Sequence, residues 1–328
     1  MSVLLVLTLL LVLAAEFVNG LTDAANAIAT VVSTRVLSPT RAVIMAAVFN
    51  MVGVLTTGTA VAATIGKGIV DPEIVTTEVV AAAMLTIVVW STAAWRFGIP
   101  TSETHELVAG LAGAGLASAG PSVLLWDGWR KVLIGLGMST LIGFGLGFTI
   151  MVVIYWLFHK APRGPANRFF GKMQIFSAAF MAFSHGSNDG QKFMGVFALA
   201  LLLGGVFSTF HIPLWVIILC GSVMALGTAA GGWRIIRTMG VRITRLEPVH
   251  GFAAETAAST AILFASRFGI PLSTTHTIGT AIMGVGASKR VTAVNWNVAS
   301  NVVRTWLITF PVCLVLGYVF AWLFILIF

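Results

Sequence analysis

Residues 96–105 read Arg-Phe-Gly-Ile-Pro-Thr-Ser-Glu-Thr-His, and residues 267–276 read Arg-Phe-Gly-Ile-Pro-Leu-Ser-Thr-Thr-His. Eight of the ten positions are identical, and the two copies are separated by about half of the 328-residue chain. Internal similarity over such a distance indicates a duplicated fold. The sequence therefore predicts two related halves, each with one copy of this segment, which we call the core motif.

Each core motif predicts the end of one helix and the start of another. Pro100 and Pro271 disfavour the helical conformation in the residue before them, and Ser102 and Ser273 are suitable N-caps for the helices that follow. A helix that begins in apolar surroundings presents free backbone N–H groups and the positive end of its dipole. Two such helix starts facing each other would form an anion site from backbone amides and hydroxyls.

The composition is that of a membrane protein. Hydrophobic residues make up 58% of the chain and charged residues only 9%, whereas soluble domains carry roughly 25% charged residues. The net charge of +8 arises from basic residues near the ends of apolar segments, a pattern that sets membrane topology. This pattern predicts contact with a lipid bilayer and no nucleic-acid partner. Cys220 and Cys313 lie far apart in apolar runs, which disfavours a disulfide.

Apolar runs long enough to cross a bilayer recur along the chain. The sequence predicts an all-α, polytopic membrane protein made of two inverted repeats of about five membrane segments each, with broken helices and hairpin-like Pro-Ser/Thr motifs. We place the first repeat at residues 1–158, a short basic cytoplasmic linker at 159–172, and the second repeat at 173–328. An odd number of crossings per repeat inverts the second repeat relative to the first. The lysine and arginine distribution then places both termini outside.

Polar segments interrupt the apolar runs at residues 19–26 and 185–192. The two segments occupy corresponding places in the two halves, and they align with one shared glycine and one shared aspartate, Asp23 and Asp189. Because the surrounding residues are apolar, each segment predicts a break in a membrane helix at a matched place in the two repeats.

Asp23 and Asp189 predict a cation site. Placing a lone carboxylate at membrane depth costs at least ~2.5–3.5 kcal/mol of free energy, so its presence indicates a compensating partner or a function. The two carboxylates, the side-chain amides of Asn26 and Asn188, and backbone carbonyls freed by broken helices suit Na⁺ or can carry H⁺. The alternative is that each aspartate caps an interfacial helix, which the matched second copy disfavours.

Hydroxyl side chains surround both predicted helix starts, namely Thr101, Ser102, Thr104, Ser273, Thr274 and Thr275. A single cluster of this kind would favour packing between helices, but a duplicated pair favours an oxyanion site. Glu103 must then be protonated, paired with a cation or directed away from the anion. Lys192 could add a donor to the anion or pair with Asp189.

Other polar residues in the apolar segments predict no catalytic centre. His105 and His276 are expected to donate to backbone carbonyls, and Glu255 is a candidate for an ion path. The chain has no His-x-x-x-His or Cys-x-x-Cys spacing, so no zinc site is predicted. It also has no Gly-x-Ser-x-Gly nucleophile motif. An intramembrane hydrolase using His and Asp therefore stays a distant alternative.

Five motifs, taken in their order along the chain, can be compared with those of known protein families. They are Phe17-Val-Asn-Gly-Leu-Thr-Asp-Ala-Ala-Asn-Ala-Ile, Ile99-Pro-Thr-Ser-Glu-Thr-His, His185-Gly-Ser-Asn-Asp-Gly-Gln-Lys-Phe-Met-Gly, Gly227-Thr-Ala-Ala-Gly-Gly-Trp-Arg and Ile270-Pro-Leu-Ser-Thr-Thr-His. These motifs resemble those of the inorganic phosphate transporter (PiT) family in its bacterial form. The resemblance implies an inverted-repeat symporter that moves inorganic phosphate with Na⁺ or H⁺, as a homodimer in a prokaryotic plasma membrane.

The resemblance also implies which residues act. The implied phosphate ligands are Ser102, Thr104, Gln191, Ser273, Thr274 and Thr275. The implied ligands of the coupling cation, including a Na⁺ ion, are Asp23, Asn26, Asn188 and Asp189. Thr22 stands where the strongest form of the first motif has Asn, which leaves Na⁺ and H⁺ both open. We expect a transporter rather than an enzyme, with no cofactor beyond the coupling ion. A carrier of another oxyanion such as sulfate is the close alternative.

Overall fold

In the computed structural model, which describes residues 2–328, the chain is helical and these residues contain no β-strand beyond a single bridge between Val70 and Leu124. The helices are α1 (Val3–Ser33), α2 (Pro39–Thr56), α3 (Ala60–Gly68), α4 (Thr77–Phe97), α5 (Glu103–Ala119), α6 (Trp126–Leu157), α7 (Arg163–His185), α8 (Gln191–Leu203), α9 (Leu214–Ala230), α10 (Trp233–Arg237), α11 (Pro248–Arg267), α12 (Thr274–Lys289) and α13 (Trp296–Ile327). Short 3₁₀ turns cover Pro121–Val123 and Val291–Ala293, and π-helical turns cover Gly186–Gly190 and Thr238–Arg242.

The order of elements in the first half recurs in the second. Helices α4, α5 and α6, with a 3₁₀ turn before α6, have 21, 17 and 32 residues. Helices α11, α12 and α13, with a 3₁₀ turn before α13, have 20, 16 and 32 residues. The basic segment predicted as a linker at 159–172 is largely helical, because α7 begins at Arg163 directly after Pro162. The connection between α6 and α7 is therefore short.

Five helices of the described chain, α1, α2, α4, α6 and α13, are long and apolar enough to cross a membrane. A sixth span results if α9 is counted together with the segment from Trp233 to Arg242, which bends away from it by 61°. The all-α, multi-pass prediction is confirmed, but length and composition identify fewer spans than the sequence led us to expect. Helices α5 and α12, which were expected to cross the membrane, are the clearest examples. They have 17 and 16 residues, fewer than the ~20 that a bilayer crossing needs.

The two halves are interleaved rather than packed side by side. Helix α5 packs against α13, and α12 packs against α6. Both crossings are close enough to require glycine. A Cβ atom on Gly113 would lie 1.9 Å from the carbonyl oxygen of Leu314, and one on Gly284 would lie 2.2 Å from that of Phe144. Gly113 and Gly284 stand at the same distance after the two core motifs, so the close crossing is itself a repeated feature.

The predicted helix break at 19–26 is wrong, whereas at 185–192 the α-helix is interrupted by a π-helical turn between α7 and α8. Helix α1 continues through the first segment. Both segments are buried against other helices, where helical hydrogen bonding within the chain satisfies backbone groups that water cannot reach. At Gly20, for example, a Cβ would lie 2.3 Å from the carbonyl oxygen of Met224 in α9. The polar side chains therefore project from nearly regular helices.

Candidate functional site

The two core motifs meet in the buried interior. Ser102 caps α5 by accepting from the backbone N–H of His105 at 3.4 Å, and Ser273 caps α12 by accepting from that of His276 at 3.2 Å. The two serine Oγ atoms lie 2.8 Å apart. Two helix N-termini, each the positive end of a helix dipole, thus converge on one place. This is the arrangement that the repeated sequence predicts.

Glycine makes the approach to each helix start possible. Gly98 and Gly269, which occupy the same position in the two core motifs, have φ angles of 68° and 66°. This left-handed conformation is readily adopted by glycine and ends α4 and α11. The N-cap residues Ser102 and Ser273 are extended, so each chain turns sharply out of one helix and into the next.

Asp189 is fully buried and has four polar partners. Its carboxylate accepts from Thr274 Oγ1 at 2.7 Å and from Asn188 Nδ2 at 2.7 Å. His185 Nε2 lies 3.1 Å from it, and Lys192 Nζ forms an ion pair with it. The π-helical turn Gly186–Gly190 carries both Asn188 and Asp189. The carboxylate is therefore compensated by a lysine of the same helical segment.

Asp23 approaches the same threonines from α1. Its carboxylate lies 3.3 Å from Thr274 Oγ1 and 3.4 Å from Thr275 Oγ1. Asn26 Nδ2, one turn further along α1, donates to Thr275 Oγ1 at 3.0 Å. A basic nitrogen, Nε2 of His185, lies 4.0 Å from the Asp23 carboxylate. Asp23 thus contacts neutral hydroxyls, whereas Asp189 is paired with an ammonium.

Asp23, His185 and Asp189 together could hold a cation. One ligand atom from each lies within 4.8 Å of the others, and all three residues are buried. His185 was not assigned a role from the sequence. The signal that could have identified it is its position four residues before Asp189, which places both side chains on one face of a helix.

Lys192 and Leu272 complete a buried polar cluster, which also contains Asp23, Asp189 and the threonines at the two helix starts. Lys192 Nζ donates to Thr104 Oγ1 at 2.7 Å and to the backbone carbonyl of Leu272 at 3.0 Å. The same carbonyl accepts from Thr104 Oγ1 at 3.0 Å and from Asn188 Nδ2 at 2.8 Å. Free backbone carbonyls were expected from broken helices. The structure provides one instead from the non-helical segment ahead of a helix start.

Five of the six predicted anion ligands lie in this cluster or at the helix starts beside it, namely Ser102, Thr104, Ser273, Thr274 and Thr275. Gln191 has different partners. Its Oε1 accepts from the backbone N–H of Val61 at 2.9 Å, and its Nε2 donates to the carbonyl of Ser187 at 2.6 Å. Gln191 therefore joins α8 to the start of α3.

Glu103 lies beside the predicted anion ligands and is bonded to hydroxyl groups. Thr22 and Ser91 donate to its Oε1 at 3.0 and 2.6 Å, and Ser91 also bonds to the buried Glu106. Glu106 was missed by the sequence reasoning, although it follows Glu103 by three residues on the same helix. Glu255 is held separately by Thr30, Ser177 and Gln174.

The sequence matches a known protein family over most of its length. The phosphate transporter family model matches residues 19–317. The chain belongs to the phosphate transporter family. The family predicted from the motifs is thereby confirmed, and with it the expectation of a transporter rather than an enzyme.

Relatives cover nearly the whole chain. A Rhizobium meliloti protein named a probable low-affinity inorganic phosphate transporter is 48% identical over 297 residues, which is 90% of this chain and 89% of that protein. A Bacillus subtilis protein with the same name is 42% identical over 323 residues, 97% of each chain. A solved structure described as the sodium-dependent phosphate transporter aligns over 100% of both chains with a TM-score of 0.88 at 24% identity, which shows the fold.

Proposed function

We propose that the protein takes up inorganic phosphate by secondary active transport, with Na⁺ or H⁺ as the coupling ion. The observation that carries this proposal is the convergence of two capped helix starts, where Ser102 and Ser273 lie 2.8 Å apart. Helix N-termini bind anions through free N–H groups and the helix dipole. The names of the Rhizobium meliloti and Bacillus subtilis relatives support phosphate as the anion.

The proposed phosphate ligands are the hydroxyls at these helix starts, namely Ser102, Thr104, Ser273, Thr274 and Thr275. Hydroxyl groups accept and donate, so they can turn from each other and from neighbouring carboxylates towards a bound anion. Gln191 remains a proposed ligand. Its Nε2 group is the donor that can bind phosphate, and it must exchange its bond to the Ser187 carbonyl for one to the anion.

The proposed cation ligands are Asp23, Asn26, Asn188 and Asp189. Thr274 and Thr275 link them to the anion ligands, since both threonine hydroxyls lie within 3.5 Å of Asp23. Each hydroxyl has one hydrogen and can donate to one acceptor at a time. Thr274 donates at the shorter distance of 2.7 Å to Asp189, so Thr275 is the donor that depends on Asp23. A cation that binds Asp23 replaces this donor and releases the Thr275 hydroxyl to phosphate. Binding of cation and anion is thereby coupled through Thr275.

A cavity beside the proposed cation ligands supports a route of access. It has a volume of about 320 Å³ and is lined by residues that include Ser187, Ser266 and Arg267. Ser266 donates to Oδ1 of Asn188 at 3.3 Å, so the cavity borders the cation ligands. Arg267 supplies a positive charge that attracts anions towards this opening.

Location and assembly are part of the proposal. The protein is placed in a prokaryotic plasma membrane with both termini outside, because this orientation puts most basic segments in the cytoplasm. The chain is divided into inverted repeats at 1–158 and 173–328, and it forms a homodimer. Light scattering of the purified protein in detergent measures its mass and so tests the dimer.

Uptake of labelled phosphate into proteoliposomes tests the function. Inward Na⁺ gradients at constant pH and inward H⁺ gradients without Na⁺ are imposed in parallel, with protein-free liposomes as the control. The relative described as sodium-dependent supports stimulation by Na⁺. Excess sulfate should compete poorly. Strong inhibition by sulfate would favour the broader oxyanion carrier, and absence of phosphate uptake under both gradients would contradict the proposal.

A further inference from the structure

The two halves carry related segments at the proposed cation site, and these segments differ in the residue three positions after the shared aspartate. In α1 the sequence is Asp23-Ala-Ala-Asn26, and at the matched place in the second half it is Asp189-Gly-Gln-Lys192. When the two aspartates are aligned, Asn26 and Lys192 align as well, because each follows its aspartate by three positions. A neutral amide in the first half is thus replaced by a primary ammonium in the second.

The contacts of these two side chains correspond as well. Asn26 Nδ2 donates to Thr275 Oγ1 at 3.0 Å, and Lys192 Nζ donates to Thr104 Oγ1 at 2.7 Å. Thr104 and Thr275 occupy the same position of the two core motifs. Each half therefore sends its helical side chain to the matching threonine of the other half, and Lys192 occupies the counterpart of the place held by Asn26.

The ammonium of Lys192 is surrounded by oxygen atoms, as a bound metal cation would be. Its three oxygen partners are a carboxylate from Asp189, a hydroxyl from Thr104 and the backbone carbonyl of Leu272. Such unwound backbone carbonyls take part in Na⁺ sites of membrane transporters. The side chain is 1% exposed, so the charge has no access to bulk water. A buried ammonium is stable there because the carboxylate compensates it and the other oxygens satisfy its remaining hydrogens.

We infer that Lys192 is a tethered cation that permanently fills the second of two matched cation sites. The inference rests on the proposed function. Of the two aspartates, only Asp23 then requires a mobile cation, in agreement with its hydroxyl contacts and the 4.0 Å distance to His185. The protein accordingly carries one fewer positive charge per phosphate than the same fold with an amide at position 192.

The substitution Lys192→Asn tests this assignment by restoring the pattern of the first half. The coupling ratio, measured as the reversal potential of phosphate flux in proteoliposomes, should rise by one positive charge per phosphate in Lys192→Asn. Uptake should also become more dependent on Na⁺. Lys172→Asn, which removes an exposed lysine of α7, serves as the matched control and should leave the ratio unchanged.

A second measurement does not depend on transport. The melting temperature of the purified protein is recorded in NaCl and in choline chloride. Lys192→Asn should be less stable than wild type in choline, and Na⁺ should raise its melting temperature by more than it raises that of wild type. If Lys192→Asn cannot be purified, Lys192→Gln is measured in the same way.

The outcomes separate the two proposals. A phosphate affinity that falls in Lys192→Asn with an unchanged coupling ratio and an unchanged Na⁺ shift would overturn the inference and make Lys192 a phosphate ligand. Absence of phosphate uptake by the wild type would contradict the proposed function. The difference in Na⁺ stabilisation between Lys192→Asn and wild type would still decide the role of Lys192.

Discussion

The hydroxyl oxygens of Ser102 and Ser273 lie 2.8 Å apart although the two residues are separated by 171 positions in the sequence. They occupy the same place in the two copies of the core motif, so each serine is bonded to its own counterpart. Such a contact is expected only where two related halves share a common centre. A ligand bound there would touch both halves at once, which is a direct way for one binding event to control their relative position.

Replacing these serines should weaken phosphate binding. Ser102→Ala and Ser273→Ala each remove a buried hydroxyl and a helix cap, so a loss of ~1–3 kcal/mol is expected for each. Because the two hydroxyls are in contact, the double variant should lose less than the sum of the single losses. Phosphate-dependent thermal shift measures affinity and stability together. The exposed Ser300→Ala in α13 is the control, and unchanged affinity in all three variants would move the anion site elsewhere.

The two aspartates should respond differently to neutralisation. Asp23→Asn and Asp189→Asn should both abolish gradient-driven uptake. Asp189→Asn should in addition lower stability strongly, because it leaves the Lys192 ammonium buried without a counter-charge, a cost of ~3–5 kcal/mol. Uptake and melting temperature are measured for both, with the exposed Asp127→Asn as the control. Equal melting temperatures for Asp23→Asn and Asp189→Asn would show that the ion pair contributes little.

The proposed orientation can be tested by labelling from one side. In a background lacking Cys220 and Cys313, cysteines are placed at the exposed positions Asn167, Arg245 and Glu73. A membrane-impermeant maleimide should label Asn167→Cys and Arg245→Cys only in inside-out vesicles, and Glu73→Cys only in intact cells. Labelling of all three from the same side would contradict the inverted arrangement.

Close packing between α5 and α13 predicts a large effect of one methyl group. Gly113→Ala places a Cβ 1.9 Å from the Leu314 carbonyl oxygen, so the two helices must separate. Overpacking of this kind costs typically ~1–3 kcal/mol. Gly137→Ala in α6, where no atom lies within 4 Å of the new Cβ, is the matched control. Thermal unfolding in detergent compares the two variants, and equal melting temperatures would argue against the helix crossing described here.

The sequence predicted the site best where local rules determine the backbone. The Gly-Ile-Pro and Ser of each core motif end one helix and cap the next, and both N-caps occur where they were predicted, at Ser102 and Ser273. Their repetition was enough to suggest that the two helix starts share a function. The structure adds the distance between them, which no local rule could supply.

Contacts between distant segments could not be predicted in this way. The polar residues at 19–26 predict a helix break, but α1 is buried against α9 and the helix is continuous. The pairing of Asn26 with Thr275 joins residues 249 positions apart. The bond from Val61 to Gln191 likewise depends on α3 packing against α8. In each case tertiary packing, rather than the residue type, decides the partner.

The pairing of α5 with α13 has a consequence for how the molecule is made. The ribosome completes α5 long before it reaches α13, and the partner surface that fits Gly113 does not exist in the meantime. Until α13 has been synthesised, Gly113 lacks the Leu314 backbone against which it packs in the folded protein. The packing of α5 against α13 can therefore form only late in synthesis, after translation has passed Ile327.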